Sequence, residues 1–322
     1  MRRTVRVAAI QAEPKWLRLS EGVEQAVELI GVAAAAGARL VAFPETFLPG
    51  FPWWCWVDSN QWNVEYSTRC RENSMTRDGA EMRRITAAAR DHGVHVVIGF
   101  GERQDRRIYM AQAVIDDNGE MVSVRRKAGL NSIERKVFAS GTPNLPTVQH
   151  GDIGKVGALS GQENQRPLLT RALRADEEEI HVAAWPGHPE GDAPGPDSAA
   201  TVSRMYALEA SAYVVAPCAV VGNAAWDRRA PQTNRSTGQA RIYAAGGTEV
   251  VTPLTEGVEG ILYADLEIGS MAPDLREMDL APRPRTRRGQ QAARTAPARR
   301  LGTDRWAVPV IRGEGPDGLA AC

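Results

Sequence analysis

The chain has 322 residues, 43% hydrophobic and 24% charged, a composition typical of a folded soluble protein. Its 39 basic and 39 acidic residues cancel, so no global field draws it to nucleic acid or to an acidic surface. No apolar run is long enough to cross a bilayer, and the opening MRRTVRVAAIQAE lacks a signal-peptide core.

Val5 to Gln11 reads as a strand. Ser20 is placed to cap a helix whose apolar face is Val23, Ala26, Val27, Ile30 and Ala34, and Gly37 to end it. Leu40 to Phe43 is a second strand, closed by Pro44-Glu45. Glu81 to Asp91 has a helical pattern stopped by Gly93, and His95 to Phe100 is the next strand. Ile108 to Ile115 and Met121 to Arg125 flank Asp116-Asp117-Asn118-Gly119, which predicts a hairpin running into Arg125-Arg126-Lys127.

Val156 to Leu159 is a buried strand that opens onto Ser160-Gly161-Gln162-Glu163-Asn164 and a helix beginning at Pro167. Ile180 to Ala184 is a strand ending in Trp185-Pro186-Gly187, followed by a Pro/Gly-rich loop over Pro189 to Pro196. Ser203 to Ala212 reads as helix and Tyr213 to Ala216 as strand, and Gln239 to Tyr243, Glu249 to Thr252 and Gly260 to Asp265 as a final β block. Strands alternating with helices, with hairpins interspersed, imply an α/β fold with helices on the outer faces of sheets. Residues 1–280 make one domain. Residues 281–322 form a basic, Pro- and Ala-rich extension, read as a solvated tail or as an oligomerisation arm on a neighbouring subunit.

Three charged residues stand at strand ends. Glu45, beside Pro44 and several aromatics, has the surroundings of a desolvated carboxylate, whose raised pKa suits a general base. Lys127 closes the hairpin, where a cation can stabilise a developing oxyanion. Glu134, in NSIERKVFASG, is unremarkable alone. Cys55, Cys70, Cys218 and Cys322 have neither metal-ligand spacing nor a disulfide framework. The expected setting is a reducing cytoplasm, with no metal and no cofactor.

In order along the chain, FPETFLPGFPWW, then RRK followed by ER and VF, then VGAL ahead of EN and PL, then HVAAWPG, then RIY, GTEV and EGILYADL resemble the nitrilase branch of the carbon–nitrogen hydrolase superfamily, over roughly residues 4 to 270. The resemblance implies a four-layer α-β-β-α sandwich that pairs through helices into a homodimer or larger homo-oligomer. It implies a Glu general base at Glu45, a Lys at Lys127 that holds the tetrahedral oxyanion together with the backbone N–H just after the nucleophile, and a second Glu at Glu134 that positions Lys127 and substrate. The family's nucleophilic Cys, normally followed by Trp-Glu-Asn, maps onto Gly161, followed by Gln162, Glu163 and Asn164. By the same resemblance Trp185, Trp53 and Trp54, with Gln162, Glu163 and Asn164, belong to the substrate pocket. For Trp53, Trp54 and Trp56, a subunit interface and plain core packing stay open as alternatives.

Thiol-dependent hydrolysis needs a thiolate to attack carbon, and glycine has none. Ser160 is adjacent, but strand neighbours point to opposite faces. Cys55 lies in the tryptophan-rich loop, Cys218 reads as a small buried apolar residue, and Cys322 is terminal. Two readings are therefore open. One is an enzyme that uses Glu45, Lys127 and Glu134 for a non-covalent step on a small nitrogen-containing molecule. The other is a pseudoenzyme that binds such a molecule or assembles with a partner. Both predict that Glu45, Lys127 and Glu134 converge beside Gly161, in a pocket made roomier and more polar by the missing side chain.

Overall fold

In the computed structural model, residues 3–56, 60–188, 196–222 and 237–269 are described. The extension 281–322, the loop over 189–195 and Cys322 lie outside them, as does the side chain of Trp56.

Alternation along the first strand sets the layers. β1 (Arg3–Gln11) points Val5, Val7 and Ala9 one way and Ala8 and Ile10 the other. It joins β2 (Leu40–Ala42), β3 (His95–Gln104), β4 (Arg107–Ile115), β5 (Met121–Arg126) and β11 (Gly260–Ile268) in a sheet ordered β11-β1-β2-β3-β4-β5. A second sheet, ordered β10-β9-β8-β7-β6, contains β6 (Gln149–Gly151), β7 (Gly154–Ser160), β8 (Ile180–Ala184), β9 (Tyr213–Ala216) and β10 (Arg241–Tyr243). β1, β2 and β3 run parallel, as do β7, β8 and β9, and the remaining pairings are antiparallel.

Val5, Val7 and Ala9 meet Val156, Val182 and Val215 between the sheets. Ala8 and Ile10 pack outward on Val23, Ala26 and Ile30 of α1 (Leu19–Ala35) and on Met82 and Ile85 of α3 (Ala80–His92). On the far side, Leu159, Ala183 and Val214 pack on Leu173 of α4 (Pro167–Ala175) and on Tyr206 and Ala207 of α5 (Pro196–Ala210). The result is helix, sheet, sheet, helix, each interface closed by side chains whose burial stabilises by about 1.5–3 kcal/mol apiece.

Several local expectations are corrected. α1 begins at Leu19 after Arg18 with no side-chain cap, so Ser20 lies inside the helix. Glu249 makes only an isolated bridge to Tyr243, and no strand forms over 249–252. α5 starts at Pro196, seven residues before Ser203. A helix over Asn60–Glu72 (α2) and the three-residue β6 carried no periodic signal. The predicted hairpin forms, with Asp116 Oδ1 accepting from the N–H groups of Asn118 and Glu120 at 3.0 and 2.8 Å.

Candidate active site

Four segments leave the carboxyl ends of parallel strands at one edge of the sandwich: Glu45 after β2, Gly161 after β7, Trp185 after β8 and Cys218 after β9. Open α/β sheets place their ligand sites at such edges. The Glu45 segment lies against β3, held by Phe43 N–H to the Val97 carbonyl at 2.8 Å and Leu48 N–H to the Gly99 carbonyl at 3.3 Å. Gly99 permits this approach, since a Cβ there would sit 2.4 Å from the Thr46 nitrogen.

Lys127 follows β5, where alternation sends Arg125 and Lys127 to one face and Arg126 to the other. Arg126 pairs with Glu102 at 2.6 Å, and Arg125 makes a two-pronged pair with the buried Glu163. Lys127 Nζ donates to Glu45 Oε1 at 2.7 Å and to Glu134 Oε1 at 2.6 Å. Glu134 sits on a 3-10 turn locked by a reciprocal exchange of the capping-box kind. Asn131 Oδ1 accepts from the Glu134 N–H at 2.9 Å, and Glu134 Oε2 accepts from the Asn131 N–H at 2.8 Å. All three charged residues are buried, with at most 2% of their surface exposed.

Burial pushes the Glu45 carboxyl up to about 7; the adjacent Lys127 opposes that rise and Glu134 adds to it. For Lys127, burial favours the neutral amine, but the two carboxylates outweigh it and keep the ammonium above its ordinary range. The site therefore holds a fixed cation between two buried carboxylates, of which Glu45 is the one that burial pushes up.

Gly161 opens a 3-10 turn over Gly161–Gln165 with φ +47°, in the left-handed region that glycine adopts readily. A Cβ at this position would meet Glu45 Oε2 at 2.3 Å. The roomier space expected beside Gly161 is therefore filled by the carboxylate of Glu45. The adjoining cavity measures about 310 Å3 and is walled by Phe51, Trp53, Ile133 and Trp185, with Glu45, Glu134, Gln162, Gln165 and Gln239 supplying polar groups.

Of the residues predicted for the pocket, Trp53, Trp185 and Gln162 line this cavity. Trp54 does not; it is buried against Tyr66, with ring centroids 5.7 Å apart. Glu163 is turned onto Arg125, and Asn164 onto the Gly161 carbonyl, to which its Nδ2 donates at 2.9 Å. Cys218, read as a small buried residue, is buried and also lines the cavity; burial pushes its thiol up to about 11, which keeps it protonated. Gln165 and Gln239 were not foreseen. Gln165 belongs to the turn after Gly161 and Gln239 precedes RIY, so proximity to quoted motifs was the available signal.

Among the described residues, one group offers metal-ligand types within reach of each other, His95, Asp117 and Asp152, at the opposite ends of β2 and β3 from Glu45. Arg39 pairs with both of these carboxylates, 2.5 Å from Asp152 and 3.6 Å from Asp117, and supplies a positive charge to the group.

The chain's relatives agree with this architecture. The nitrilase of Pseudomonas syringae pv. syringae is 39% identical over 277 residues, covering 83% of this chain and 82% of that protein. The cyanide hydratase of Leptosphaeria maculans is 34% identical over 280 residues, covering 82% and 78%. Among solved structures, a carbon-nitrogen hydrolase from Helicobacter pylori superposes with a TM-score of 0.68 at 16% identity, covering 86% of this chain and 93% of that one. An amidase mutant from Nesterenkonia sp. AN1, with the acetamide moiety of fluoroacetamide added covalently at its active site cysteine, superposes with a TM-score of 0.62 at 18% identity, covering 82% and 90%. With residues 6–274 also matching the family's sequence profile, the chain belongs to the carbon-nitrogen hydrolase family.

Proposed function

We propose that this protein acts on a small nitrogen-containing molecule, a nitrile, an amide or a related compound, by a non-covalent route in which Glu45 replaces the thiol route of its relatives. The observation that carries this reading is the Glu45 carboxylate lying over Gly161, 2.3 Å from where a side chain would begin, while still bonded to Lys127. Gly161 stands at the nucleophile position and offers no atom to attack carbon. Glu45, titrating near neutrality, can instead take a proton from water or from a second substrate. In direct water attack, the water oxygen bonds to the nitrile or amide carbon, its proton passes to Glu45, and charge grows on the substrate nitrogen or oxygen. Glu45 then returns the proton to nitrogen, which gives the amide from a nitrile or, as the C–N bond breaks, ammonia and the carboxylic acid from an amide. Lys127 directs two of its three hydrogens at Glu45 and Glu134, and the third is the one available to that charge. Addition, elimination and condensation use the same base and cation.

The names of the relatives, nitrilase and cyanide hydratase, support a nitrile-sized substrate, as does the small cavity. The same Glu45 position favours a second reading. A carboxylate parked over the nucleophile site suits a catalytically inactive pseudo-nitrilase that binds such molecules without turnover. The test is product formation by native protein, Glu45→Gln and Lys127→Ala on nitriles and amides, followed by NMR alongside calorimetric binding. Turnover lost in both variants supports the enzyme. Saturable binding without turnover supports the binder, and turnover untouched by both changes removes the proposal.

Assembly as a homodimer or larger homo-oligomer through the outer helices is part of the same reading, supported by the exposed Leu168 on α4 and Met205 and Leu208 on α5. Light scattering that returns a monomer would overturn it.

A further inference from the structure

Behind the Gly161 turn, away from the cavity, lies a buried polar chain that the chemistry above does not use. Tyr206 of α5 donates to Glu178 Oε1. Glu178 Oε2 lies 3.1 Å from His181 Nδ1, and His181 Nε2 lies 2.8 Å from Asn164 Oδ1. Asn164 Nδ2 completes the chain on the Gly161 carbonyl at 2.9 Å, with the Leu159 carbonyl at 3.5 Å. All four side chains are at least 95% buried, and the His181 and Tyr206 rings stack with centroids 3.7 Å apart.

The proton positions follow from the partners. Two carbonyls face one end of the Asn164 amide, so that end is the NH2 and the other is the oxygen. His181 must then donate from Nε2 to be bonded there, and a second proton, on Nδ1 or on Glu178 Oε2, makes the 3.1 Å contact to Glu178 a hydrogen bond. Glu178 fixes the ring from the other side, and Tyr206 fixes Glu178. A Glu–His–Asn chain of this kind normally orients a reacting group. Here it ends on a backbone carbonyl.

A trans peptide is planar, so its C=O and its N–H point in opposite directions. Holding the Gly161 carbonyl toward Asn164 turns the Gln162 N–H the opposite way, and Gly161, Gln162 and Glu45 all line the cavity. We infer that Glu178, His181 and Asn164 are positioning residues that lock the Gly161–Gln162 peptide so that its N–H faces the substrate as an oxyanion donor beside Lys127. Glycine at 161 gives this lock its purpose. With no side chain to wedge the turn and a φ open to both hands, the short 3-10 turn alone holds this peptide more loosely than it would hold one beside a residue with a Cβ.

This rests on the reading of the Gly161 cavity as the active site, and its test includes a readout independent of turnover. Asn164→Asp keeps the side chain's shape and removes the donor. His181→Leu removes the link, and His181→Gln restores a donor toward Asn164. Crystal structures of Asn164→Asp and His181→Leu should show the 161–162 peptide rotated, and His181→Gln should show it native. Where turnover is measured, kcat should fall about a hundredfold with KM little changed, the effect of losing one preorganised oxyanion donor, and His181→Gln should recover most of it. Should one of the two disrupting variants fail to fold, the other carries the test. A native peptide orientation in a folded Asn164→Asp or His181→Leu overturns the inference, whatever the outcome for substrate turnover.

Discussion

Placing a methyl group on residue 161 tests the contact on which the functional reading stands. In Gly161→Ala the new Cβ falls 2.3 Å from Glu45 Oε2, 2.9 Å from Cδ and 3.0 Å from Oε1, so the carboxylate must withdraw by more than 1 Å to reach ordinary contact. Withdrawal stretches its 2.7 Å bond to Lys127, a charged bond between buried groups worth about 1.5–3 kcal/mol. The left-handed backbone at φ +47° adds about 1–2 kcal/mol for any residue with a Cβ. The sum is about 2.5–5 kcal/mol, or a fall in Tm of roughly 5–20 °C for a domain of this size. Calorimetry on native protein, Gly161→Ala, Glu45→Ala and the double variant separates the two contributions. With Glu45 truncated there is nothing to strike, and the alanine should cost only the backbone part. The cycle should then return a coupling of about 1.5–3 kcal/mol. Additive effects, with no coupling, would mean that Glu45 does not occupy the place in front of Gly161, and the proposed role for its carboxylate would fall with it.

Three further predictions follow from named contacts. Because burial raises Glu45 from 4.5 to about 7, the native state holds its proton more tightly than the unfolded chain; the resulting stability is fully present below pH 4.5 and is lost as pH rises to 7. Urea unfolding across that window should show a native slope of roughly 3 kcal/mol that Glu45→Gln lacks, and equal slopes would refute it. Arg125→Leu leaves the Glu163 carboxylate buried without its partner and should cost about 3–5 kcal/mol in the same assay, with Arg125→Lys recovering only part because a single ammonium cannot reproduce the two-pronged pair. Gly157→Ala puts a Cβ 1.9 Å from Glu178 Oε2 and should destabilise by about 1–3 kcal/mol while displacing Glu178 from His181; a crystal structure with that pair intact would count against the crowding seen here.

The strands were legible because each buried face writes itself as alternation or as a short apolar run. Val5 to Gln11, His95 to Phe100 and Ile180 to Ala184 all became strands within a few residues of their expected ends. What failed was local chemistry overruled by context. Ser20 had the right residue type for a cap, but the helix had already begun at Leu19, where the Asn73 side chain accepts the Leu19 N–H at 3.0 Å. That bond joins positions 54 residues apart, and no local reading of the sequence reaches it. The segment over 60–72 carries few apolar residues, so its helix left no stripe to read.

The same distinction runs through the site. Glu45, Lys127 and Glu134 were found from motifs, and they meet because β2 and β5 belong to one sheet and the Asn131–Glu134 exchange folds the next turn back onto Lys127. The residues after Gly161 were read as one group, yet they divide three ways. Gln162 faces the cavity, Glu163 faces Arg125, and Asn164 faces the chain through His181 to Glu178. A 3-10 turn advances about 120° per residue, so successive side chains cannot share a wall. Nor does composition say that Glu45 and Gly161 touch, since they come from different sheets whose faces meet only across the core. That contact changes the meaning of the glycine. A side chain at 161 and Glu45 in its present place exclude each other, so the glycine and the position of the carboxylate are one structural feature. Any chemistry assigned to this site must begin from the carboxylate.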